Sequence, residues 1–311
     1  MDKSVPMTAT DSAPPTSPAR PLSARAIPWV ARFAWVLVAI VGGGALESAA
    51  SGRSNAVQWV IALGSWTVFA LVAIGLLIPA VISLTITRVG APLSLIAAAA
   101  AAVGGSPGID LALLVAPAIV AVASIFTAEF GRWMVQASAY GDEDRLPLRS
   151  PVPAGAAAVV SWILWAPALL GGPLALGTAN WIAGIPLTFL AVAATAFIGP
   201  RWHTMSRRWL VLVPAGLVVH DPVVLADTLM VKTDQILSLG LARSETEAAD
   251  LTGPASGYAV QVDTSQTVST VFAFTPQEPN GRAIHMTGFL IAPSRPGEAL
   301  RCAAVRGLPI R

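Results

Sequence analysis

The chain has 311 residues, of which 55% are hydrophobic and 12% are charged, and its mean hydropathy is +0.68. Soluble globular proteins carry about 25% charged residues, so this composition argues against a chain that is soluble throughout and is typical of multi-pass membrane proteins. The formal net charge is only +2, which gives no basic footprint for a nucleic-acid partner. The single cysteine, Cys302, excludes an intrachain disulfide.

The N-terminal segment, residues 1–28, is rich in Pro, Ser, Thr and Ala and contains no apolar signal-peptide core. Its six prolines disfavour regular secondary structure. We therefore predict a disordered cytoplasmic tail, with a phosphorylated or proline-rich docking segment as the functional alternative.

Long apolar runs follow from residue 29 to residue 200. A hydrocarbon core about 30 Å thick needs about 20 apolar residues in a helix. Six runs come near this length, at residues 33–49, 57–79 (with an apolar extension to 86), 90–105, 109–130, 153–171 and 180–200. We predict a bundle of six transmembrane helices. The third run is short and rich in alanine, so a re-entrant segment packed inside the bundle is the alternative there.

The distribution of Arg and Lys predicts the orientation of these spans. With the N-terminus inside, the inside segments hold eleven of these residues and the outside loops hold only Arg53, a strong bias under the positive-inside rule. The inside residues are Lys3, Arg20, Arg25, Arg32, Arg88, Arg132, Arg145, Arg149, Arg201, Arg207 and Arg208. We predict a multi-pass protein of the inner (plasma) membrane with both termini in the cytoplasm.

Aromatic and basic residues near the ends of the predicted spans are candidates for contact with lipid headgroups. Trp concentrates at membrane interfaces, and Arg side chains can reach anionic headgroups. The predicted interface-anchoring residues are Trp29, Arg32, Trp133, Trp202, Arg207 and Arg208. No ionisable side chain is predicted at the middle of a span, which argues against a proton-coupled pump with a buried carboxylate.

The longest inside loop, residues 131–152, contains the acidic triplet Asp142, Glu143 and Asp144. Adjacent carboxylates could bind a cation, but they lack the ligand spacing of an EF-hand. A solvated, partly self-paired loop is the simpler interpretation. A third possibility is that the loop docks on the C-terminal region, since both are predicted on the cytoplasmic side.

Residues 201–208 are a predicted basic linker that leaves the membrane, and residues 209–311 have the pattern of a water-soluble, β-rich domain. Short β-branched segments alternate there with turn residues. Seven strands are predicted at residues 209–213, 217–220, 228–232, 235–241, 258–263, 267–274 and 284–292. Ser294 is the predicted cap of a final helix over residues 295–305, and residues 242–257 are predicted to form a long loop.

Seven strands followed by one helix is the order of a pleckstrin-homology-like (PH-like) barrel. The stretch Arg208-Trp-Leu-Val-Leu-Val-Pro-Ala-Gly-Leu-Val-Val-His-Asp-Pro222 resembles the start of bacterial PH-like regions that follow membrane spans. Together with the Ser-Ala-Tyr-Gly-Asp loop at residues 138–142, the chain resembles a family of uncharacterised multi-pass membrane proteins of high-GC actinobacteria over about residues 29–306.

This resemblance implies a helical membrane bundle, residues 29–200, followed by a small cytoplasmic PH-like β barrel with a C-terminal helix, residues 209–311. It brings no activity and no ligand residues with it. Basic residues between the first two strands usually carry phosphoinositide binding in PH-like domains. The corresponding turn here, Pro214-Ala215-Gly216, has neither Lys nor Arg, so phosphoinositide recognition is not expected.

Catalytic and metal-binding patterns are not evident in the sequence. The histidines His203, His220 and His285 form no close ligand motif, although a metal site built from His220, His285 and Cys302 is conceivable in three dimensions. The letters G-x-S-x-G at residues 104–108 follow an alanine-rich span rather than a strand, so a turn is predicted instead of a nucleophile elbow. We expect no catalytic residues, no cofactor and no metal.

The sequence therefore favours a non-enzymatic membrane anchor or scaffold, which presents a PH-like interaction module to a protein partner or to the lipid bilayer. A small-solute or lipid transporter with a regulatory cytoplasmic tail is the alternative, and an intramembrane enzyme is the third possibility. Prolines within the spans, at Pro79, Pro117 and Pro186, would lie near a transport site because broken helices often line such sites.

Overall fold

The computed structural model describes residues 22–273 and 281–311. The predicted tail up to residue 21 and the last residue of the predicted strand 267–274 lie outside this range. Within the described range there are six long apolar segments, a β region built from eight strands and one C-terminal helix, and one of the strands lies between the fourth and fifth apolar segments in the chain.

Nine α-helices occur in the described part of the chain. They are α1 Leu22–Ala50, α2 Asn55–Leu77, α3 Val81–Gly90, α4 Leu93–Val103, α5 Gly108–Ile125, α6 Ala128–Gln136, α7 Val152–Gly177, α8 Trp181–Ser206 and α9 Pro296–Val305. Six segments are long and apolar enough to cross a membrane: α1, α2, α3 with α4, α5, α7 and α8. The prediction of six spans is confirmed at the level of helix length and composition.

The third span differs from its predicted form. Helix α2 ends at Leu77, before Pro79, and the apolar extension predicted for the second span belongs to α3 instead. Helices α3 and α4 together make one span from Val81 to Val103, interrupted before Pro92. Proline lacks a backbone N–H, so the helix breaks there. Arg88, predicted in an inside loop, therefore lies within this span.

Two helices extend beyond their predicted ends. Helix α1 already begins at Leu22, so the last seven residues of the segment predicted as disordered are helical, with Pro28 inside the helix. Helix α8 continues to Ser206, through most of the predicted basic linker 201–208. Its last turns remain helical because Trp202 is buried against the neighbouring helix α7.

Within the bundle, α1 packs mainly on α5, and α7 packs mainly on α8. Small residues allow these close approaches, as is common between membrane helices. A Cβ atom on Gly42 would lie 2.7 Å from Leu114 Cδ1, and one on Gly172 would lie 2.6 Å from Thr188 Oγ1. Glycine is therefore the residue that permits close helix packing at these two contacts.

The strands form two four-stranded sheets. They are β1 Asp144–Pro147, β2 Trp209–Val213, β3 Gly216–His220, β4 Leu229–Lys232, β5 Ile236–Leu241, β6 Ala249–Asp250, β7 Val260–Phe272 and β8 Arg282–Ile291. The first sheet has the order β1-β2-β3-β4, and the second has the order β5-β7-β8-β6. The predicted strands 258–263 and 267–274 are one long strand, β7, with a shift of register between Asp263 and Val268. The predicted loop 242–257 contains the short strand β6, which runs parallel to β8.

Strand β1 comes from the loop between the fourth and fifth spans. It pairs antiparallel with β2, with Asp144 opposite Leu212 and Pro147 opposite Trp209. Leu146 points into the core of the β region, where it is almost fully buried. Of the three interpretations of this loop, docking on the C-terminal region is the one observed.

The β2–β3 hairpin turns at Pro214 and Ala215, and Gly216 is required at its exit. The backbone of Gly216 has a φ of +149°, a region that residues with a side chain rarely adopt. A Cβ at this position would also lie 2.1 Å from the carbonyl oxygen of Val231 on β4. The turn fixes the register that carries Trp209 opposite His220.

The core of the β region lies between the two sheets and is closed by α9. It contains side chains from the first sheet, from the second sheet and from α9, such as Leu212, Val262 and Cys302. Across the described residues the strands do not close into a barrel. Helix α9 has Arg295 as its N-cap residue and no capping hydrogen bond from a side chain, so the predicted cap at Ser294 is wrong.

Candidate functional site

Helix α6 forms the base on which the β region sits. Its N-cap, Thr127, accepts a hydrogen bond from the backbone N–H of Phe130. Phe130 and Met134 are fully buried in a cluster of the bundle that also contains Trp35 of α1. The opposite face of α6 carries Arg132 towards β1 and α9. The amphipathic helix thus packs on the membrane helices with one face and on the β region with the other.

Arg132 connects three separate segments of the chain. Its guanidinium forms ion pairs with Glu298 at the start of α9 and with Asp144 of β1, the latter at 3.5 Å. It also lies 3.5 Å from the sulfur of Cys302. Burial raises the pKa of the Cys302 thiol, although the nearby arginine opposes this shift. The thiol is therefore protonated at neutral pH and packs as a small apolar group.

Arg306, just after α9, holds the acidic triplet from the other side. Its Nε donates to Asp144 Oδ2 at 3.0 Å, and a terminal nitrogen donates to Asp142 Oδ1 at 2.9 Å. Burial alone would lower the pKa of Arg306, but the hydrogen bonds and charges of the two aspartates raise it above its usual value. Glu143, the third acid, pairs with Arg145 at 2.7 Å. Each of the three carboxylates considered for cation binding therefore forms an ion pair with an arginine.

Arg208 forms the most buried ion pair of the junction. Its guanidinium makes two hydrogen bonds with the carboxylate of Asp221, at 2.7 and 2.6 Å, and a third with the carbonyl oxygen of Arg149 at 2.6 Å. Both charged side chains are essentially inaccessible to solvent. A paired arrangement of this kind compensates the high cost of burying each charge.

Three of the predicted interface residues come together at this end of the bundle. The Arg32 guanidinium lies 4.8 Å from the ring centroid of Trp29 and 4.9 Å from that of Trp133. Arg32 Nε also donates to the carbonyl oxygen of Leu76 at the end of α2. Trp29 is 57% exposed. These three residues therefore form one cluster between α1, α2 and α6, with Trp29 at its surface.

The other three predicted interface residues separate into different environments. Trp202 is buried, packs edge-to-face on Trp165 and donates to Ser161 Oγ at 3.1 Å. Arg208 is buried in its pair with Asp221. Both side chains are thus buried in contacts within the protein, and their membrane anchoring stays a prediction. Arg207 is exposed and stays a predicted contact with anionic lipid.

The interior of the bundle contains a smaller set of polar contacts, between α3, α7 and α8. Thr85 Oγ1 lies 2.9 Å from His203 Nδ1. The indole N–H of Trp162 donates to the carbonyl oxygen of Val89, and that of Trp165 donates to Thr195 Oγ1. Each of these groups is satisfied by a neighbouring helix rather than directed at open space.

The structure does not assemble the conceivable metal site. His220 stacks on Trp209 and lies 3.1 Å from Thr228 Oγ1, while His285 lies 2.6 Å from Ser269 Oγ on the neighbouring strand. Cys302 lies elsewhere, beside Arg132. Among residues 22–273 and 281–311, no group of three His, Cys, Asp or Glu could hold a metal ion. In the G-x-S-x-G turn, Ser106 Oγ donates to the carbonyl oxygen of Ala45.

Two surface grooves lie in or beside the β region. One, of about 440 Å³, is lined mainly by polar side chains such as Glu247, Gln261, Asp263 and His285. The other, of about 360 Å³, lies between the start of α7 and the β7–β8 end of the second sheet, and Phe272 lines it. Both grooves face solvent.

Sequence patterns did not single out Asp221, Glu298 or Arg306. One signal was present for Asp221. A two-residue turn at Pro214 and Ala215 pairs Trp209 with His220, so continuing the same register places Arg208 opposite Asp221. Glu298 and Arg306 left no such signal, because their partners lie more than 150 residues away in the chain.

Comparison with protein-family models, with curated proteins and with solved structures finds no match for this chain. The functional argument therefore rests on the geometry of the chain itself.

Proposed function

We propose that this chain is a non-enzymatic membrane scaffold, whose helical bundle presents a PH-like interaction module at the cytoplasmic face of the plasma membrane. The observation that carries the proposal is strand β1. A segment between two membrane helices forms an edge strand of the first sheet, so the β region is built into the bundle rather than tethered to it. A fixed module of this kind can present a surface at a defined height and angle above the membrane.

The PH-like assignment is supported by the order of the elements. Two packed sheets of mainly antiparallel strands are followed by one helix, and that helix packs on β5 and closes the core between the sheets. Two features depart from a compact PH-like barrel: the open arrangement of the sheets, and the two strands, β1 and β6, that lie outside the predicted seven. Both fit a module adapted to sit on a membrane bundle.

The surface of the helices supports the membrane location. Large apolar side chains on α7 and α8 face outward and are at least 69% exposed, for example Leu164, Ile182, Phe189 and Phe197. Exposed apolar area of this extent is unfavourable in water and is expected on helices that face lipid tails. Ile27, near the described start of α1, and Trp209 of β2 pack against the same hydrophobic cluster of the bundle, which supports a location of this start near the β region.

The binding role is tested by isolating the tagged full-length protein from its native membranes after mild crosslinking. We expect one stoichiometric protein partner. Replacing the exposed Leu237 on β5 by Ser should remove that partner, whereas replacing the lipid-facing Leu164 by Ser should leave it bound. Recovery of a specific lipid without any protein would contradict the scaffold.

The orientation is tested with reporter fusions after residue 311 and at Arg53. An alkaline phosphatase fused after residue 311 should be inactive, and one inserted at Arg53 should be active, because phosphatase folds only outside the cytoplasm. The reverse pattern would refute the cytoplasmic placement of the β region.

A transporter is the second candidate, and the interrupted span α3–α4 is the observation that favours it. Breaks in membrane helices often line substrate sites, and Leu93, just after the break, belongs to one buried hydrophobic cluster with Trp165. Uptake of a solute or lipid by vesicles that contain the purified protein, lost on replacing Trp165 by Ala, would support transport.

A further inference from the structure

Residues 308–311, which follow α9, lie along the outer edge of β5. The backbone N–H of Leu239 donates to the carbonyl oxygen of Pro309 at 2.8 Å, and the backbone N–H of Arg311 donates to the carbonyl oxygen of Leu239 at 2.9 Å. Ile310 and Leu239 form a parallel β-bridge. This short segment, the strap, thus acts as an additional strand on an edge that the sheet itself leaves open.

Both ends of the strap are held by side chains. Leu308 is buried in the core between the sheets. At the other end, Arg311 pairs with Asp263 Oδ2 at 2.7 Å. The carboxylate of Asp263 also accepts hydrogen bonds from Ser238 Oγ and Gln261 Nε2, each at 2.7 Å, so it is held in position for a cation. The edge therefore offers an apolar pocket and a fixed anion.

Strand β5 also leaves space for the side chain of Arg311 at Gly240. A Cβ atom on Gly240 would lie 2.5 Å from Cγ of Arg311. The glycine leaves a channel along the strand, through which the stem of the arginine reaches Asp263. The site thus selects for backbone in an extended form, an apolar residue at the position of Leu308 and an arginine at the position of Arg311.

The strap itself is weakly held beyond Leu308. Residues 309–311 make two backbone hydrogen bonds to β5 and one partly exposed ion pair, and each interaction of this kind is weak in water. Gly307, with a φ of +74°, ends the helical turn of α9 just before the strap. Alternation along β5 directs the backbone groups of Leu241 to the same outer edge as those of Leu239, and residues 308–311 do not use them. A longer segment could therefore form more bonds.

We infer that the outer edge of β5 is a peptide-docking site that the strap occupies in cis, and that its partner is an extended segment of another protein with the same Leu-x-x-Arg chemistry. Strand addition of this kind takes its affinity from main-chain hydrogen bonds and its specificity from side-chain pockets. The exposed side chains of Leu237 and Leu241, 59% and 50% accessible, flank the strap on the same strand and would be covered by such a partner. The inference rests on the proposed scaffold function and names its binding surface.

The test uses the full chain in nanodiscs and a fluorescent peptide with the sequence of residues 305–311, Val-Arg-Gly-Leu-Pro-Ile-Arg. In one variant, residues 308–311 are replaced by Gly-Ser-Gly-Ser. We expect this variant to bind the peptide saturably, and the intact chain to bind it at least tenfold more weakly, because a short tether gives the strap an effective concentration on the order of millimolar. The control peptide has Glu in place of its last Arg and should bind poorly.

A second variant, Arg311→Glu, changes only one residue of the strap. It tests the inference independently if the Gly-Ser-Gly-Ser variant does not fold. Like charge against Asp263 should release the strap, so hydrogen exchange at the Leu239 amide should become at least tenfold faster, while exchange at Val262 in the sheet interior stays unchanged. Absence of peptide binding by a folded replacement variant would overturn the inference, as would unchanged exchange at Leu239 in Arg311→Glu.

The experiments distinguish a failure of the docking site from a failure of the proposed scaffold function. Peptide binding without any protein partner in the membrane isolation would remove the scaffold function and leave the docking site. A partner that is recovered equally from intact protein and from Arg311→Glu, and that added peptide does not displace, would remove the docking site and leave the scaffold.

Discussion

Several hydroxyl side chains in the helical bundle bond to the backbone of their own helix, whereas two arginines at the junction with the β region bond to groups far away in the chain. Thr87 and Thr195, for example, donate to carbonyl oxygens four residues earlier on their own helices. Arg132 and Arg306 instead contact other segments of the chain. Arg132 donates to the sulfur of Cys302, which is 170 residues away, and Arg306 donates to Asp144, which is 162 residues away. A local contact survives if the helix survives, but a distant one requires the whole fold.

This difference implies different responses to substitution. The bundle should depend on close packing between helices and tolerate changes on its lipid-facing surface. The junction should depend on a few buried charges, because removing one partner leaves the other charged and desolvated. Four variants and their matched controls test this contrast, in order of decreasing expected effect.

The Arg208–Asp221 pair should give the largest effect. Replacing Arg208 by Met leaves the Asp221 carboxylate buried without its partner, and breaking a buried pair costs about 3–5 kcal/mol. The adjacent, exposed Arg207 is the matched control, and Arg207→Met should change stability by less than about 0.5 kcal/mol. Denaturant unfolding followed by tryptophan fluorescence measures both. Equal effects at positions 207 and 208 would contradict the buried-pair account.

Arg132 should come second, because Arg306 still holds Asp144 when Arg132 is removed. We expect Arg132→Met to lower the free energy of unfolding by about 2–4 kcal/mol. It should also separate unfolding of the β region from that of the bundle, visible as two transitions in calorimetry. Arg301→Met, on the exposed face of α9, is the control and should keep a single transition. One cooperative transition in both variants would refute a role for Arg132 in coupling the regions.

Close packing between α7 and α8 should give a smaller effect. Gly172→Ala brings a methyl group against Thr188 and should destabilise the hairpin by about 1–3 kcal/mol, the usual cost of overpacking. A Cβ atom on the neighbouring Gly171 would meet no other atom of the described residues within 4 Å, so Gly171→Ala should be neutral or slightly stabilising. Thermal aggregation in detergent compares the two. A larger loss for Gly171→Ala would argue against this helix contact.

Protonation of His220 should give the smallest effect. Burial, with the charge of Arg207, lowers the pKa of His220 in the folded protein. The unfolded chain then binds a proton first as the pH falls below the ordinary histidine value of about 6.5, so stability falls from there down to the folded-state pKa. His220→Gln should reduce this loss between pH 7 and 5, while Thr228→Ala, which keeps the ring, should retain it. An unchanged pH profile in His220→Gln would contradict the assignment.

Local patterns were sufficient for most of the secondary structure. Strand β2 has the predicted bounds, and β3, β4 and β5 differ from prediction by one residue at their starts. Alternating burial and turn residues specify such hairpins within a short window. Hydropathy over a similar window predicted six apolar spans. It could not decide whether residues 81–86 belong to the second or the third span, because hydropathy does not distinguish a helix break at proline from a continuous apolar helix.

A local window contains the information for only part of the candidate site. Arg207 and Arg208 are the same residue type side by side, yet one is exposed and the other buried, since strand register alone decides which faces Asp221. Asp142 and Asp144 resembled a solvated acidic loop because their arginine partners lie beyond two membrane helices. Several charged side chains that the sequence predicted at the surface instead form ion pairs that hold the β region on the bundle.

The origin of β1 has a consequence for biosynthesis. The ribosome releases residues 144–147 before helices α7 and α8 exist, so this strand must wait for β2, which begins at Trp209, before it can pair. The two intervening helices, α7 and α8, pack on each other as a hairpin, which brings β2 back to β1. Completion of the first sheet can thus occur only after the α7–α8 hairpin has formed, and until then the edge of β1 that pairs with β2 is unpaired.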